Sequence, residues 1–296
     1  MAIHIKTLVQ LQAIQEDLDA DYILDNDIDA TATKDWNGGA GFVPIAGVGL
    51  LGEIDPFGGS FDGQEYTITG LYMRRDHYFI GLFGLIGEGA EVKNVTLKDA
   101  DIAFVAQPYY IGGLAGANKG VITNCHSIGD VAGYYFTGCL VGRNEEEGTI
   151  THCHSEGTVS GAHLDTGGLV GSNKGTIMEC YSTADVTSTS EQAGGFVGNN
   201  YAGGIIQNCY ARGNATATDR VVGGFVGVNW GNITNCYSTG IPASEGAYVG
   251  GFVGRNKLAC IGCFWDIETS GEDESACGTG KSTVAMKTKS TFTDAG

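Results

Sequence analysis

One phrase recurs through the chain and limits what it can become. "IGGLAGANKGVITNCHS", "TGCLVGRNEEEGTITHCHS", "GGLVGSNKGTIMECYS", "GGFVGNNYAGGIIQNCY", "GGFVGVNWGNITNCYS" and "VGGFVGRNKLACIGCFW" follow one another between Ile111 and Trp265. The cysteines that close the copies, Cys125, Cys153, Cys180, Cys209, Cys236 and Cys263, are spaced 28, 27, 29, 27 and 27 residues apart. A fixed period of this size marks stacked units, because no single unit can bury its own apolar face. Short β-branched runs punctuated by glycine, with 49 glycines against 4 prolines in the chain, favour strands and tight turns over helices. The expected fold is therefore all-β, a β-solenoid of about 27–29-residue repeats. At a strand spacing of about 4.8 Å per coil, the stretch from residue 60 onward would form a rod on the order of 40 Å long.

Two weaker copies precede the six, "GQEYTITGLYM" and "IGLFGLIGEGAEVKNVTL", and they bear on the cysteines. Val95 stands where later copies have Cys, so the position reads as a packing site and Cys as a small apolar side chain. A buried ladder of reduced cysteines is one arrangement; disulfides between coils are the other, since neighbouring coils bring Cα atoms within bonding range. "CIGC", Cys260 to Cys263, has a metal-site spacing, but in register Cys260 replaces Ile233 and Cys263 continues the ladder, so no metal is expected. A local disulfide from Cys260 to Cys277 is an alternative. Cys139 occupies the place of the second glycine.

Asn118, Asn144, Asn173, Asn200, Asn229 and Asn256 each lie two residues after the last glycine of the G-x-x-G element. Stacked amides would satisfy turn groups and bond from coil to coil, a structural role. The residue after each ladder cysteine is a ring: His126, His154, Tyr181, Tyr210, Tyr237 and Phe264. If Cys points inward, alternation turns these rings outward into a strip suited to sugar rings or a partner, or to mere stacking along the sheet.

With these residues in place, the G-G-[LF]-V-G-x-N and N-C-Y-S-T-G phrases resemble the GLUG repeat found in large bacterial and archaeal surface proteins. "YILDNDIDA", "GGSFDGQEYTITGLYM" and the tail from Cys263 resemble the entry and exit segments of such arrays. The resemblance implies a surface setting with adhesin-like or fibre-like roles and brings no catalytic residue. Some relatives join such repeats to a metallopeptidase, but the chain has no H-E-x-x-H.

Three segments follow: an N-terminal cap with entry strands over 1–59, the repeats over 60–271, and a tail or cap over 272–296. Leu8, Leu11, Ile14 and Leu18 at helical spacing, with Thr7 and Gln10 as a capping box, predict a short helix over the first coil. Residues 282–289 read as a brief helix or an extended tail. "GVGLLG" from Gly47 lacks the alternating strands and helices of a dinucleotide site, and "GTGKST" has Ser275 where a P-loop needs its first glycine. "DNDID" (Asp25, Asp27, Asp29) lacks the glycine and terminal glutamate of a calcium loop. His126, His152 and His154 have no recurring carboxylate beside them for a metal.

Sixteen basic against 34 acidic residues, a formal charge of -18, disfavours nucleic acid and anionic membranes. No apolar run reaches the ~20 residues of a membrane span. The N-terminus reads as no signal peptide, which keeps a virion setting open. The functional expectation is a non-catalytic surface module, structural or adhesive, without cofactor. Its partner would be a cell-surface glycan or protein, or copies of itself. The alternatives are a virion or extracellular filament component, and a carbohydrate-active β-helix enzyme.

Overall fold

A computed structural model describes residues 2–48, 54–107, 109–189, 191–218, 220–246 and 248–293. The chain winds as a β-solenoid in which every coil contributes short strands to four sheets. One full coil runs through Asp165–Gly167, Val170–Asn173, Thr176–Met178, and then Tyr181–Ser182 with Asp185–Ser188. The next coil repeats this path in parallel register, with Gly167 beside Gly194, Val170 beside Val197, Ile177 beside Ile206 and Tyr181 beside Tyr210. Equivalent residues thus stack as ladders along the rod. Parallel strands can stack this way because each returns to its neighbour only after a complete coil.

The interior is a set of apolar columns. Ile122, Ile150, Ile177, Ile206 and Ile233 form one, all at most 1% exposed. The ring of the [LF] position forms another, where Phe196, Phe225 and Phe252 stack with centroids 4.8 and 4.9 Å apart. Serine lies two residues after the aromatic strip's neighbour cysteine and also turns inward: the hydroxyls of Ser155 and Ser238 donate across the coil to the Gly168 and Gly251 carbonyls at 2.8 and 2.6 Å.

The glycine doublet and the later glycine of the phrase have a steric cause. The strand ending in the doublet lies against the V-G-x-N strand of the next coil. A Cβ on Gly198 would sit 2.5 Å from the Thr166 nitrogen, and one on Gly167 would sit 2.7 Å from the Gly198 nitrogen. The two sheets meet backbone to backbone, and a side chain at these positions would hold them apart.

Both ends are covered. The helix α1, Leu8–Gln12, starts at Thr7 with both halves of the capping box in place and passes into a 3-10 turn over Ala13–Glu16. It buries Leu11 and Ile14 completely, with Leu8 and Leu18 packed alongside. Around it, Ile3–Ile5 and Tyr22–Leu24 extend one sheet and Ile28–Asp29 another, so residues before 60 already share the solenoid's sheets. At the far end Thr279–Lys281 adds a strand to Phe264–Asp266. Thr283–Met286 and Lys289–Thr293 then form two short helices, the first capped by the Ser282 hydroxyl.

Candidate functional site

The ring after each of the first five ladder cysteines stands on the outer side of its sheet, half-buried against its neighbours. Centroid separations run 3.8 Å from His126 to His154, 4.7 Å to Tyr181, 4.8 Å to Tyr210 and 5.0 Å to Tyr237, with the last three pairs within 8° of parallel. Coil spacing sets these distances, and the parallel register sets the angles. Burial holds both imidazoles toward their neutral forms, and His154, beside His126, is lowered to about 4. The two imidazoles are therefore uncharged at neutral pH, and the Arg212 guanidinium lies beside the strip, 4.9 Å from the Tyr210 centroid.

Phe264 does not continue this open strip. It is 7% exposed, because Phe292 from the final helix packs edge-on against it at 5.7 Å and Lys281 lies over its ring. Phe292 also touches Tyr237 at 5.5 Å. The cover comes from outside the repeat, so nothing in the repeat announces it. Between Tyr237, Arg212 and the C-terminal helices the strip opens into a cleft of about 600 Å3, also lined by Thr239, Met286 and Phe292.

The six ladder cysteines lie in the interior, at most 2% exposed, and are reduced. Their sulfurs do more than fill space. The Cys153 backbone N–H donates to the Cys180 Sγ at 3.3 Å, and the pattern repeats from Cys125 to Cys153, Cys180 to Cys209 and Cys209 to Cys236, each at 3.4 Å. Burial pushes the Cys209 and Cys236 thiols well above their ordinary range. Valine can take the volume but cannot accept the N–H. Cys180→Val is therefore expected to cost about 1–2 kcal/mol by urea denaturation, the cost of an orphaned buried donor; an unaltered midpoint would reduce the ladder to packing alone.

The asparagine ladder forms a continuous chain of amides. Nδ2 donates to the next coil's Oδ1 from Asn118 to Asn144 and from Asn144 to Asn173 at 2.9 Å. The steps from Asn173 to Asn200, Asn200 to Asn229 and Asn229 to Asn256 are each 2.8 Å. Each amide also holds its own turn, as Asn229 does with the Gly231 carbonyl and N–H at 3.0 and 3.2 Å.

One column escaped the sequence reading. The residue before each ladder cysteine sits at positive φ: Asn124 at 52°, His152 at 55°, Glu179 at 54°, Asn208 at 55°, Asn235 at 54°, and Gly262 at 62°. The asparagine of N-C-Y was its signal, since Asn tolerates this left-handed corner. His152 pairs with Glu179 at 2.6 Å here, apart from the stacked His126 and His154. Among the described residues no group of three metal-ligating side chains occurs. Asp25 pairs with His4 and Lys6, Asp27 accepts the Thr67 N–H, and Asp29 caps Thr31. Cys260 and Cys277 are joined as a disulfide, and the Ser275 hydroxyl accepts the Val253 N–H at 2.8 Å to finish the last coil. Part of "GVGLLG" lies outside the described residues.

The family model of the GLUG motif matches residues 107–132, 189–222 and 218–241. The chain carries GLUG motifs. It is 36% identical over 144 residues, 47% of its length, to halomucin of Haloquadratum walsbyi, and 41% identical over 99 residues, 33% of its length, to a candidate Gly-rich membrane protein of Evansella cellulosilytica. It spans only 2% and 11% of those two proteins. The GLUG solenoid also superposes on the crystal structure of a candidate immunoglobulin A1 protease from Bacteroides ovatus. That match has a TM-score of 0.69 and 22% identity, and covers 99% of this chain and 87% of the other. This likeness concerns the fold. Among the described residues no helix is long and apolar enough to cross a membrane.

Proposed function

We propose that this chain is a non-catalytic module of an extracellular or cell-surface protein that binds through its repetitive aromatic face. The observation that carries the reading is the strip from His126 to Tyr237, which holds flat rings at coil spacing and leads into the cleft beside Arg212. Pyranose rings and extended protein segments both present apolar faces that such rings stack against. Contact spread over several coils gives many weak contributions in place of one reacting centre. The surface setting draws on the likeness to halomucin and to a Gly-rich membrane protein.

Tyr181→Ala, Tyr210→Ala and Tyr237→Ala combined should weaken binding to a glycan array or to the native cell surface at least tenfold, with circular dichroism unchanged. Undiminished binding would make the strip a packing feature. Turnover of a glycan by the unmodified protein, abolished by replacing one carboxylate, would favour the enzyme reading instead. A filament or virion role has one observation behind it: Ile3–Ile5 is the terminal strand of its sheet, and its outer edge is unpaired among the described residues. Particles in the native-mass profile would support that role.

A further inference from the structure

A second groove lies on another face, at the seam between the two sheets that touch through their glycines. Its walls come from two outward columns, Asp165, Gln192 and Val221 on one side and Ser172, Asn199 and Val228 on the other. Toward the C-terminal coils it deepens to a pocket of about 360 Å3, closed by Tyr201, Trp230, Arg220 and Arg255. That volume lies in the range of ~300–1,000 Å3 over which small-ligand clefts are found.

The groove is built of polar groups with unspent capacity. Asn199 is 4% exposed, and its Nδ2 faces the Asp165 carboxylate at 3.5 Å while its Oδ1 has no partner. Gln192 Oε1 is buried beside it and also lacks one. Buried acceptors are almost always satisfied, and each one left alone costs free energy. Asp165 is 1% exposed, accepts from the Tyr201 hydroxyl at 3.1 Å, and is raised by burial to about 7. Its negative charge at this spot is thereby reduced.

The cations stand out against the composition. The chain has six arginines and a formal charge of -18, yet Arg143, Arg220 and Arg255 all border this groove. Arg143 is tied to Glu145 at 3.2 Å and covers the Tyr110 and Phe136 rings. Arg220 reaches Glu191 only at 3.8 Å, and among the described residues Arg255 forms no ion pair. Trp230, 39% exposed, offers a ring with Lys257 over it at 5.3 Å.

We infer that this pocket binds a carboxylated saccharide. The unpaired Asn199 and Gln192 oxygens would accept from ring hydroxyls, Arg255 and Arg220 would take the carboxylate, and Trp230 would lie against the apolar face of the pyranose. An acidic peptide would satisfy the arginines, and its backbone N–H groups could meet the two amide oxygens, but its carboxylates hang on flexible stems and it brings no pyranose face to the Trp230 ring.

The test uses calorimetric titration with galacturonate oligomers, the fully methyl-esterified oligomers as an uncharged control, and polyglutamate. The charged oligomer is expected to bind at least tenfold more tightly than its ester. Arg220→Met with Arg255→Met should remove that preference without lowering the melting temperature, since both side chains lie at the surface. Asn199→Val should weaken the ester and the acid alike. The triple tyrosine variant should retain the binding, which separates this pocket from the aromatic strip. Equal affinity for acid and ester, binding insensitive to the arginine pair, or no binding of either oligomer would overturn the inference. Tighter binding of polyglutamate than of the charged oligomer would replace it with an acidic-peptide site.

Discussion

Gly171→Ala is expected to unfold the central coils. Its new methyl group would lie 2.5 Å from the Thr137 nitrogen and 2.6 Å from the Gly142 carbonyl oxygen, backbone atoms of the coil before it. No rotamer relieves such a clash, because Cβ has none. The two sheets would have to separate, and with them the ladders on both sides of the contact. A loss of about 4 kcal/mol or more is expected, in the range reserved for disrupted cores. Gly89→Ala is the control: its Cβ meets nothing within 4 Å, and its φ of +80° alone would cost about 1–2 kcal/mol. Denaturation midpoints that fall equally for the two variants would show that the backbone contact at Gly171 tolerates a side chain.

Asn173→Leu should be the next most damaging change. It withdraws the acceptor of the Asn144 Nδ2 at 2.9 Å and the donor to the Asn200 Oδ1 at 2.8 Å, and it releases the Gly175 carbonyl. Two buried amides are left with unmet groups at about 1–3 kcal/mol each, so a total of about 2–6 kcal/mol is expected. Asn256→Leu, at the partly exposed end of the ladder, should cost less than half as much. Backbone amide exchange around Gly148 and Gly204 would locate the damage in the adjoining turns. Equal losses from Asn173→Leu and Asn256→Leu would mean that the ladder holds only its own turns.

These two effects were unequally visible in the sequence. The period, the amide column and the capping box at Thr7 were legible because each repeats or is local: six asparagines in one register can hardly be anything but a ladder, and Thr7 and Gln10 lie one turn apart. The cysteines were half legible. Val95 in an early copy announced an interior position, yet concealed that the sulfur accepts a backbone N–H. Phe264 shared the aromatic column by spacing, but its cover, Phe292, comes from the tail, and no periodicity connects them. The Asp165–Asn199 groove was invisible for the opposite reason. Its residues occupy positions that vary from coil to coil, so a reading that looks for sameness passes over them.

The amide ladder has a further consequence. Every inter-coil amide bond between Asn118 and Asn256 points the same way, N–H toward the C-terminal coil and carbonyl toward the N-terminal one. Turning one amide over would set two oxygens face to face on one side and two N–H groups on the other, so the orientation belongs to the whole column. Aligned dipoles polarise one another. The ladder is consequently an electrical vector, negative toward its first coil and positive toward its last, and each added unit lengthens the vector without altering its sense. The two ends of the ladder therefore differ, a carbonyl at Asn118 and an N–H at Asn256, so a further coil stacked on either end would have to present the matching group.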